Sequence, residues 1–528
     1  MKMKRRARKR ERGVALLAVI ALLIVFLIFA GAVVTQLAQE VNSAHNSGVS
    51  NRALSAADAG IRDMVVAIEE AAGKGQIDPG PITYKYPEAG AAPSVVKYQV
   101  QIDKKWDPLQ PAGSRYYLIS STGTVDNGIE IQNRTVHALI QAQSVTTFGS
   151  ASVYDTNQFN KPVWYTPDQS FNGPVYDGGP MNIEYDDTSA TPIFGVNAST
   201  PNNPNWVDIQ GGTTPTTLAD WNSIVLGGQP DFTQLKNPIG LPDPSTNVVV
   251  ASEAYYGDCC TMQKNGTYPN IPAGVYMNQH DAAASGGILT TGIYVNAPRA
   301  TILGKSAGSV ETFTVSSPSF ATYQISIDFS GNTTTVVQSG VTKTYSGVPS
   351  GDNGPGTGNG AFFVNGNATL LQGTVIQGTY TLAVPDDGVV QRNITITGLG
   401  SITYNDPTKD ELGIWANNVI VNTSDSNISI DASIIAGFPN EVETNGGFFN
   451  ANCNRNTCGA LNQGNLTING SVMENMHGAL GKFISIKPPV HTGFARVINY
   501  DARLASNPPP FYPVTGNYTI IAWEDEGL

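Results

Sequence analysis

The sequence predicts an α+β chain in which one very long N-terminal helix precedes a small antiparallel sheet and a large domain of stacked short strands. Three observations carry that prediction. Residues 14–34 form an apolar run without a single charge, and helical apolar spacing continues it to about residue 70. Three segments between 95 and 145 alternate apolar and polar residues. From 150 to 515, many short apolar segments are each closed by Gly, Asn or Asp.

The helix comes first. The run VALLAVIALLIVFLIFAGAVV is 21 residues long, enough to cross the hydrocarbon core of a bilayer, which takes about 20. A secretory signal is the rival, but its apolar region is only roughly 7–15 residues long. Leu37, Val41, Ala44, Leu54, Ala57, Ile61, Val65 and Ile68 extend one apolar face beyond the run, and Asn46, Ser47 and Gly48 predict a softer stretch between its halves. A helix over 14–70 would be about 85 Å long, with a transmembrane half and an amphipathic half.

Charge orients it. The first twelve residues hold eight Lys/Arg against Glu11, so they contribute +7 to the net −12 and the remainder carries −19. A basic block before an apolar span stays in the cytoplasm, and the adjoining span disfavours a nucleic-acid tail. The acidic remainder excludes a generic DNA-coating protein, although a local basic patch stays open.

A Gly/Pro-rich linker is expected around 73–93. The strands VVKYQVQI (95–102), YYLISSTGTV (116–125) and IEIQNRTVHALIQAQSV (129–145) follow, and NYTIIAWEDE (517–526) is predicted to return and pair with them. Residues 150–515 carry segments such as NITITG, NVIVN, NISIDASIIAG and NLTINGSVM at irregular spacing. With 55 Gly, 33 Pro and only 14% charged residues, this reads as a β-solenoid, each coil burying its apolar side against the next; a β-sandwich is the alternative.

Two stretches carry a resemblance to a known family. Arg12-Gly13 followed at once by VALLAVIALLIVF resembles the junction of type IV prepilins, and ALSAADAGIR (53–62) resembles the A-x-x-A-A-[ED]-A-G-[IL]-R stretch of PilX-like minor pilins. The resemblance implies a leader over 1–13, cleavage by prepilin peptidase after Gly13 and N-methylation of Val14. It also implies a single pass through the inner membrane with a cytoplasmic N-terminus, then a periplasmic or extracellular place in a pilus beside other minor and major pilins. The implied domains are a helix over 14–72, a pilin-like sheet from 94–149 and 516–528, and a β-solenoid over 150–515. The family's fifth mature residue is Glu, which neutralises a neighbour's amine in the apolar filament core. Here it is Ala18, which suits a tip subunit; the alternative is simple tolerance of its absence.

ELGIWANNVIVN (411–422), GNLTINGSVMENMHGALG (464–481) and NYDARLASNPPPFYP (499–513) resemble large minor pilins that carry a β-domain, including competence pilins. That resemblance implies extracellular DNA as the first ligand to consider, with adhesion to a surface glycan or priming of pilus assembly as the others.

Motifs for chemistry are missing from the sequence: there is no H-E-x-x-H, G-x-S-x-G, P-loop or EF-hand loop. No catalytic residue, metal or cofactor is predicted. His477 beside Glu474 invites a metal or acid–base reading, against which a hydrogen-bonded turn is favoured. A β-helix polysaccharide lyase or hydrolase would need converging carboxylates. Asp177, Glu184, Asp186 and Asp187, or Asp386 and Asp387, are the candidates, and Asx turns explain both groups. Cys453 and Cys458 read as a disulfide staple in an exported domain rather than a zinc site, while Cys259 and Cys260 are left open. Trp164, Tyr165, Tyr176, Trp206, Trp221, Tyr255, Tyr256, Tyr276 and Tyr294 are expected mostly in cores, with ring stacking on bases or sugars as the functional reading. Lys264, Arg299, Lys305, Lys343, Arg392, Lys409 and Arg455 are the candidate cations for a local patch.

Overall fold

The structure, a computed structural model, describes residues 3–72, 82–86, 95–104, 116–126, 128, 131–157, 163–166, 168–178, 181–184, 193–194, 198–199, 207–210, 239–241, 244–255, 271–277, 287–289, 291–351, 358–385, 392–438, 447, 449–451, 458–485 and 490–526. It divides into two units. One comprises Met1–Lys105, Tyr117–Ile140 and Ile520–Leu528; the other comprises Trp106–Tyr116 and Gln141–Thr519.

In the first unit a single helix spans Met3–Ala72. It runs unbroken through Asn46, Ser47 and Gly48, so the softer stretch expected there is not found. One helical glycine costs only about 1 kcal/mol relative to alanine, too little to interrupt a helix anchored by Val49 just beyond it. Residues 16–48 are exposed on every side, whereas Val49, Ala53, Ala56, Ala57, Gly60, Ile61, Met64 and Ile68 are buried. The buried stripe is thus narrower in side chain than the sequence suggests, with Leu54 and Val65 only half-buried.

That stripe lies on a five-stranded sheet in the order Ile82–Tyr86, Val95–Lys104, Tyr116–Asp126, Ile131–Ser144, Val514–Asp525. Ile82–Tyr86 is a strand within the segment expected to be linker, paired antiparallel with Val95–Lys104. Small residues set the helix-to-sheet distance. A Cβ on Gly123 would overlap the carbonyl oxygen of Ala53, and one on Gly60 would overlap Ser121 Oγ and the ring of Tyr98. The last strand, Val514–Asp525, reaches this sheet from the far end of the sequence and pairs with Ile131–Ser144.

In the second unit the chain alternates between two open parallel ladders. Ala361–Val364, Thr379–Ala383, Glu411–Ala416, Ile428–Ala436, Gly464–His477 and Val490–Tyr500 succeed one another in the first. Asn367–Leu371, Asn393–Thr397, Asn418–Asn422 and Phe449–Ala451 do so in the second. Because side chains alternate across a strand, neighbouring register rows of the first ladder point into different cores. The row Ile293, Phe362, Leu382, Ile414, Ile434, Val472 joins the core that also holds Ile302, Leu370, Ile396 and Val421 of the second ladder. The next row, Tyr294, Phe363, Ala383, Trp415, Ile435, Met473, enters the other core. Burial on both faces explains why ELGIWA is nearly continuous in apolar residues rather than alternating.

The abundance of Asn has a matching cause. Asn365 Nδ2 donates to Asn296 Oδ1 (2.8 Å), Asn418 Nδ2 to Asn393 Oδ1 (3.0 Å), and Asn499 Nδ2 to Asn469 Oδ1 (2.9 Å), linking neighbouring strands side chain to side chain. The second core is covered by two segments. The helix Pro244–Ala254, which the all-strand expectation for 150–515 missed, brings Val250, Ala251 and Ala254 to it and donates from Asn247 Nδ2 to Val384 O (2.8 Å). Residues 508–513 are wholly buried. Tyr512 OH accepts from Ile414 N (3.2 Å), and its ring stands where a side chain on Gly413 would be. Arg299–Ala307, Val310–Ser317, Phe320–Asp328, Thr333–Gln338 and Val341–Ser346 extend the second ladder as an antiparallel meander.

Candidate functional site

Two places carry the candidate residues. The first is the N-terminal helix. By length and composition it can cross a membrane, and Leu16, Leu17, Leu22, Phe26, Ile28 and Phe29 point outward with more than half of their surface bare. Apolar side chains on all sides of a helix match a hydrocarbon surrounding rather than one protein face. Gly13 and Val14 lie within this helix, and their side-chain surroundings fall outside the described residues.

The second is a buried cluster centred on His477, at the end of the long strand Gly464–His477. Glu474 Oε1 lies 3.1 Å from His477 Nδ1 and 2.6 Å from Arg496 Nη1, while Glu474 Oε2 accepts from the backbone nitrogens of Phe449 (3.2 Å) and Gly478 (2.9 Å). On the other side of the ring, His477 Nε2 is 3.1 Å from Ser152 Oγ, 3.2 Å from Tyr165 OH and 3.6 Å from Asp177 Oδ2. Arg496 also donates to Gly478 O (3.1 Å) and lies over the ring of Phe449. All six of Ser152, Tyr165, Asp177, Glu474, His477 and Arg496 are buried.

Electrostatics decides what this arrangement can do. Burial alone would push Glu474 up, but the charges of Arg496 and His477 overcome it and hold the carboxyl down at about 2. Burial alone would push His477 down, but hydrogen bonds to Asp177 and Glu474, with their charges, raise it to about 9. Ser152, His477 and Glu474 have the spacing of a nucleophile, base and orienting carboxylate, yet an imidazole protonated at neutral pH takes no proton from a serine. The turn reading of His477 was therefore too modest: the cluster joins five strands rather than closing one corner.

A third buried acid lies on Val310–Ser317. Glu311 accepts from Gln377 N (3.0 Å) and Tyr380 OH (2.9 Å). Burial pushes its carboxyl well above the ordinary range, against those two donors and with the help of the charge on Asp410.

The other sequence candidates are dispersed. Asp177 belongs to the buried His477 cluster; Asp186, Asp187, Asp386 and Asp387 lie outside the described residues, as does the side chain of Glu184. Among the described residues no group of three or more His, Cys, Asp or Glu is placed to hold a metal. Cys458 is buried and disulfide-bonded, and the remaining cysteines, Cys453, Cys259 and Cys260, lie outside the described residues.

Tyr165, Tyr176, Tyr255, Tyr276 and Tyr294 are buried, Trp164 is half-buried, and Trp206, Trp221 and Tyr256 are not among the described residues. Arg299 and Lys305 stand at opposite ends of one strand, Lys343 lies on the last strand of the meander, and Lys409 pairs with Asp406 at 3.6 Å. Arg392 donates to Asn365 Oδ1 at 3.5 Å, and Lys264 and Arg455 are not described. Arg299 and Arg392 lie at the same end of the second ladder, beside Asn367 and Asn393. What sequence reasoning missed is Arg496 and Ser152; the polar residues at the inward positions of strands Val490–Tyr500 and Ser150–Asn157 were the available signal.

No family model matches the chain, and no curated protein matches it. Among solved structures, the crystal structure of the competence-associated pilin ComZ from Thermus thermophilus is similar at 12% identity, with 90% of this chain and 97% of that chain covered and a TM-score of 0.24. At that score the functional reading rests on this chain's own residues.

Proposed function

We propose that this chain is a minor pilin, cut by prepilin peptidase after Gly13, N-methylated at Val14, and carried at or near the tip of a type IV pilus. One observation carries the reading: a basic leader ending in Arg12-Gly13 runs straight into a charge-free apolar stretch of the same helix, which is bare over 16–48 and lies on a small sheet beyond that. Such a helix anchors the precursor in the inner membrane and then serves as the stalk of an assembled subunit. The parallel ladders are, in this reading, the coils of a β-solenoid inserted between strands of the pilin sheet, and the domain is presented outward. Mass spectrometry of the membrane-extracted protein tests the processing step. A mature end at methylated Val14 is expected; an intact Met1 end or a cut beyond residue 34 overturns the reading.

For the ligand, extracellular DNA follows from the resemblance to competence pilins. A second reading is adhesion to a surface glycan or priming of pilus assembly; the burial of the described tyrosines removes them as stacking platforms for bases and sugars alike, which favours the assembly role. The net −19 beyond residue 12 also repels phosphate at distances that salt does not screen. Titration of the protein with DNA at two salt concentrations, with a deletion strain scored for piliation and DNA uptake, separates them. Salt-sensitive binding and lost uptake with pili intact support DNA; absent pili support assembly; normal pili and normal uptake support adhesion.

A further inference from the structure

The hydrogens around His477 can be assigned from the donors alone. Ser152 Oγ donates to Asp177 Oδ1 (3.2 Å) and Tyr165 OH donates to Asp177 Oδ2 (3.1 Å). Each hydroxyl has one hydrogen, so each turns a lone pair toward His477 Nε2, at 3.1 and 3.2 Å. With Asp177 Oδ2 at 3.6 Å, Nε2 faces three acceptors, and an unprotonated nitrogen there would meet only lone pairs. Across the ring, Nδ1 faces Glu474 Oε1, whose charge is held by Arg496. Only the imidazolium form donates from both nitrogens.

We propose that His477 is held as an imidazolium in the folded protein at neutral pH and is the structural cation that fastens strand Ser150–Asn157 between its two neighbours, so that removing its charge frees that strand while the neighbouring rows of the ladder stay paired. The backbone gives the reason for this selectivity. Ser150–Asn157 lies between Gly464–His477 and Val175–Asp177, and one register row, Glu474, Ser152, Asp177, sets the two carboxylates on either side of it with His477 as the cation between them. Among the described residues, Ala151 alone ties Ser150–Asn157 to the second core, whereas the preceding strands carry Phe363, Trp415 and Ile435 there, away from any such pair of carboxylates.

Among the described side chains, the titratable and charged groups that face His477 are Asp177 and Tyr165 from two other strands and Glu474 from its own, with Arg496 behind Glu474. Ser150–Asn157 contributes the neutral Ser152, and Phe449–Ala451 contributes only a backbone N–H to Glu474. Two carboxylates and two cations balance, so loss of the imidazolium proton leaves a buried carboxylate without its partner. The folded value of about 9 lies above the ordinary 6.5. The contribution is therefore complete below pH 6.5 and is lost as pH rises through about 9.

Hydrogen–deuterium exchange at the imidazole Cε1, followed by peptide mass spectrometry on the detergent-solubilised full chain, reads the proton on His477 directly. A midpoint near 9 is expected; a midpoint at or below 6.5, which means a neutral ring accepting from Ser152, overturns the proposal. Amide exchange on the same samples, corrected for base catalysis, should show 150–157 opening through that midpoint before 361–436. His477→Gln should speed exchange in 150–157 on the order of tenfold or more at neutral pH and remove the alkaline step. Uniform loosening of the whole stack, or no change in 150–157, overturns it. Should the variant fail to fold, the wild-type pH series decides alone.

Discussion

Arg134 grips Asp525 across 391 residues of sequence, with Nε donating to Oδ1 at 3.3 Å and Nη2 to Oδ2. Its remaining nitrogen, Nη1, donates to Ser50 Oγ at 3.1 Å. One guanidinium thus ties the helix, the strand Ile131–Ser144 and the terminal strand together. The side chain of Asp525 is only 3% exposed and that of Arg134 19%. Breaking a fully buried pair costs about 3–5 kcal/mol, so Arg134→Ala is expected to cost somewhat less, about 2–4 kcal/mol. Faster amide exchange in 514–525 than in 116–126 is the measurement; equal exchange in both would show the pair to be dispensable.

Two glycines, Gly48 within the helix and Gly123 within the sheet, should respond with opposite signs. Gly123→Ala drives a methyl into the backbone of Ala53 and is expected to destabilise the first unit by at least about 1–3 kcal/mol. Gly48→Ala meets nothing within 4 Å and should stabilise the helix by about 0.5–1 kcal/mol. Denaturant unfolding of the two variants beside the wild type checks both signs.

Glu311 is a carboxyl raised by burial, so the sign of its pH dependence is opposite to that of Glu474. Its favourable share is complete below the ordinary 4.5 and is lost as pH rises through its folded value. Glu474, held at about 2, contributes fully above 4.5 and loses its share as pH falls toward 2. Glu311→Gln should therefore raise thermal stability at neutral pH relative to the wild type, and Glu474→Gln should lower it. Melting curves at acid and neutral pH that moved both variants the same way would contradict this.

A disulfide between Cys453 and Cys458 is the expected partner assignment for the bonded Cys458. Peptide mapping of exported protein without reductant should recover the two cysteines in one linked peptide; recovery of Cys453 as a free thiol excludes the pairing.

Much of this was legible in the sequence because it is periodic. The helix, the alternating strands of 95–145 and the Asn-closed segments each repeat a local spacing that follows from the helical turn or the strand pleat. The role of Ala53, Ala57 and Gly60 was legible only as a pattern of small residues, since what they make room for, Gly123 and Tyr98, lies elsewhere in the sequence. The His477 cluster was half visible: Glu474 and His477 are three residues apart, but Ser152 and Asp177 approach from about three hundred residues away, and no local spacing records that. The helix Pro244–Ala254 was missed because its run of three valines has strand propensity, which packing on the second core overrides.

The return of Val514–Asp525 to the sheet that Ile131–Ser144 belongs to means that the chain leaves for the larger unit and comes back through two adjoining strands. A pulling force applied to that unit is divided between two covalent routes into the same sheet, instead of passing along one connecting peptide. The two strands are antiparallel, with Thr515 beside Gln143 and Glu526 beside Thr135, so both are loaded from the same end, and the Arg134–Asp525 pair joins them at the other. A single cut in either strand therefore still leaves the larger unit tied to the sheet.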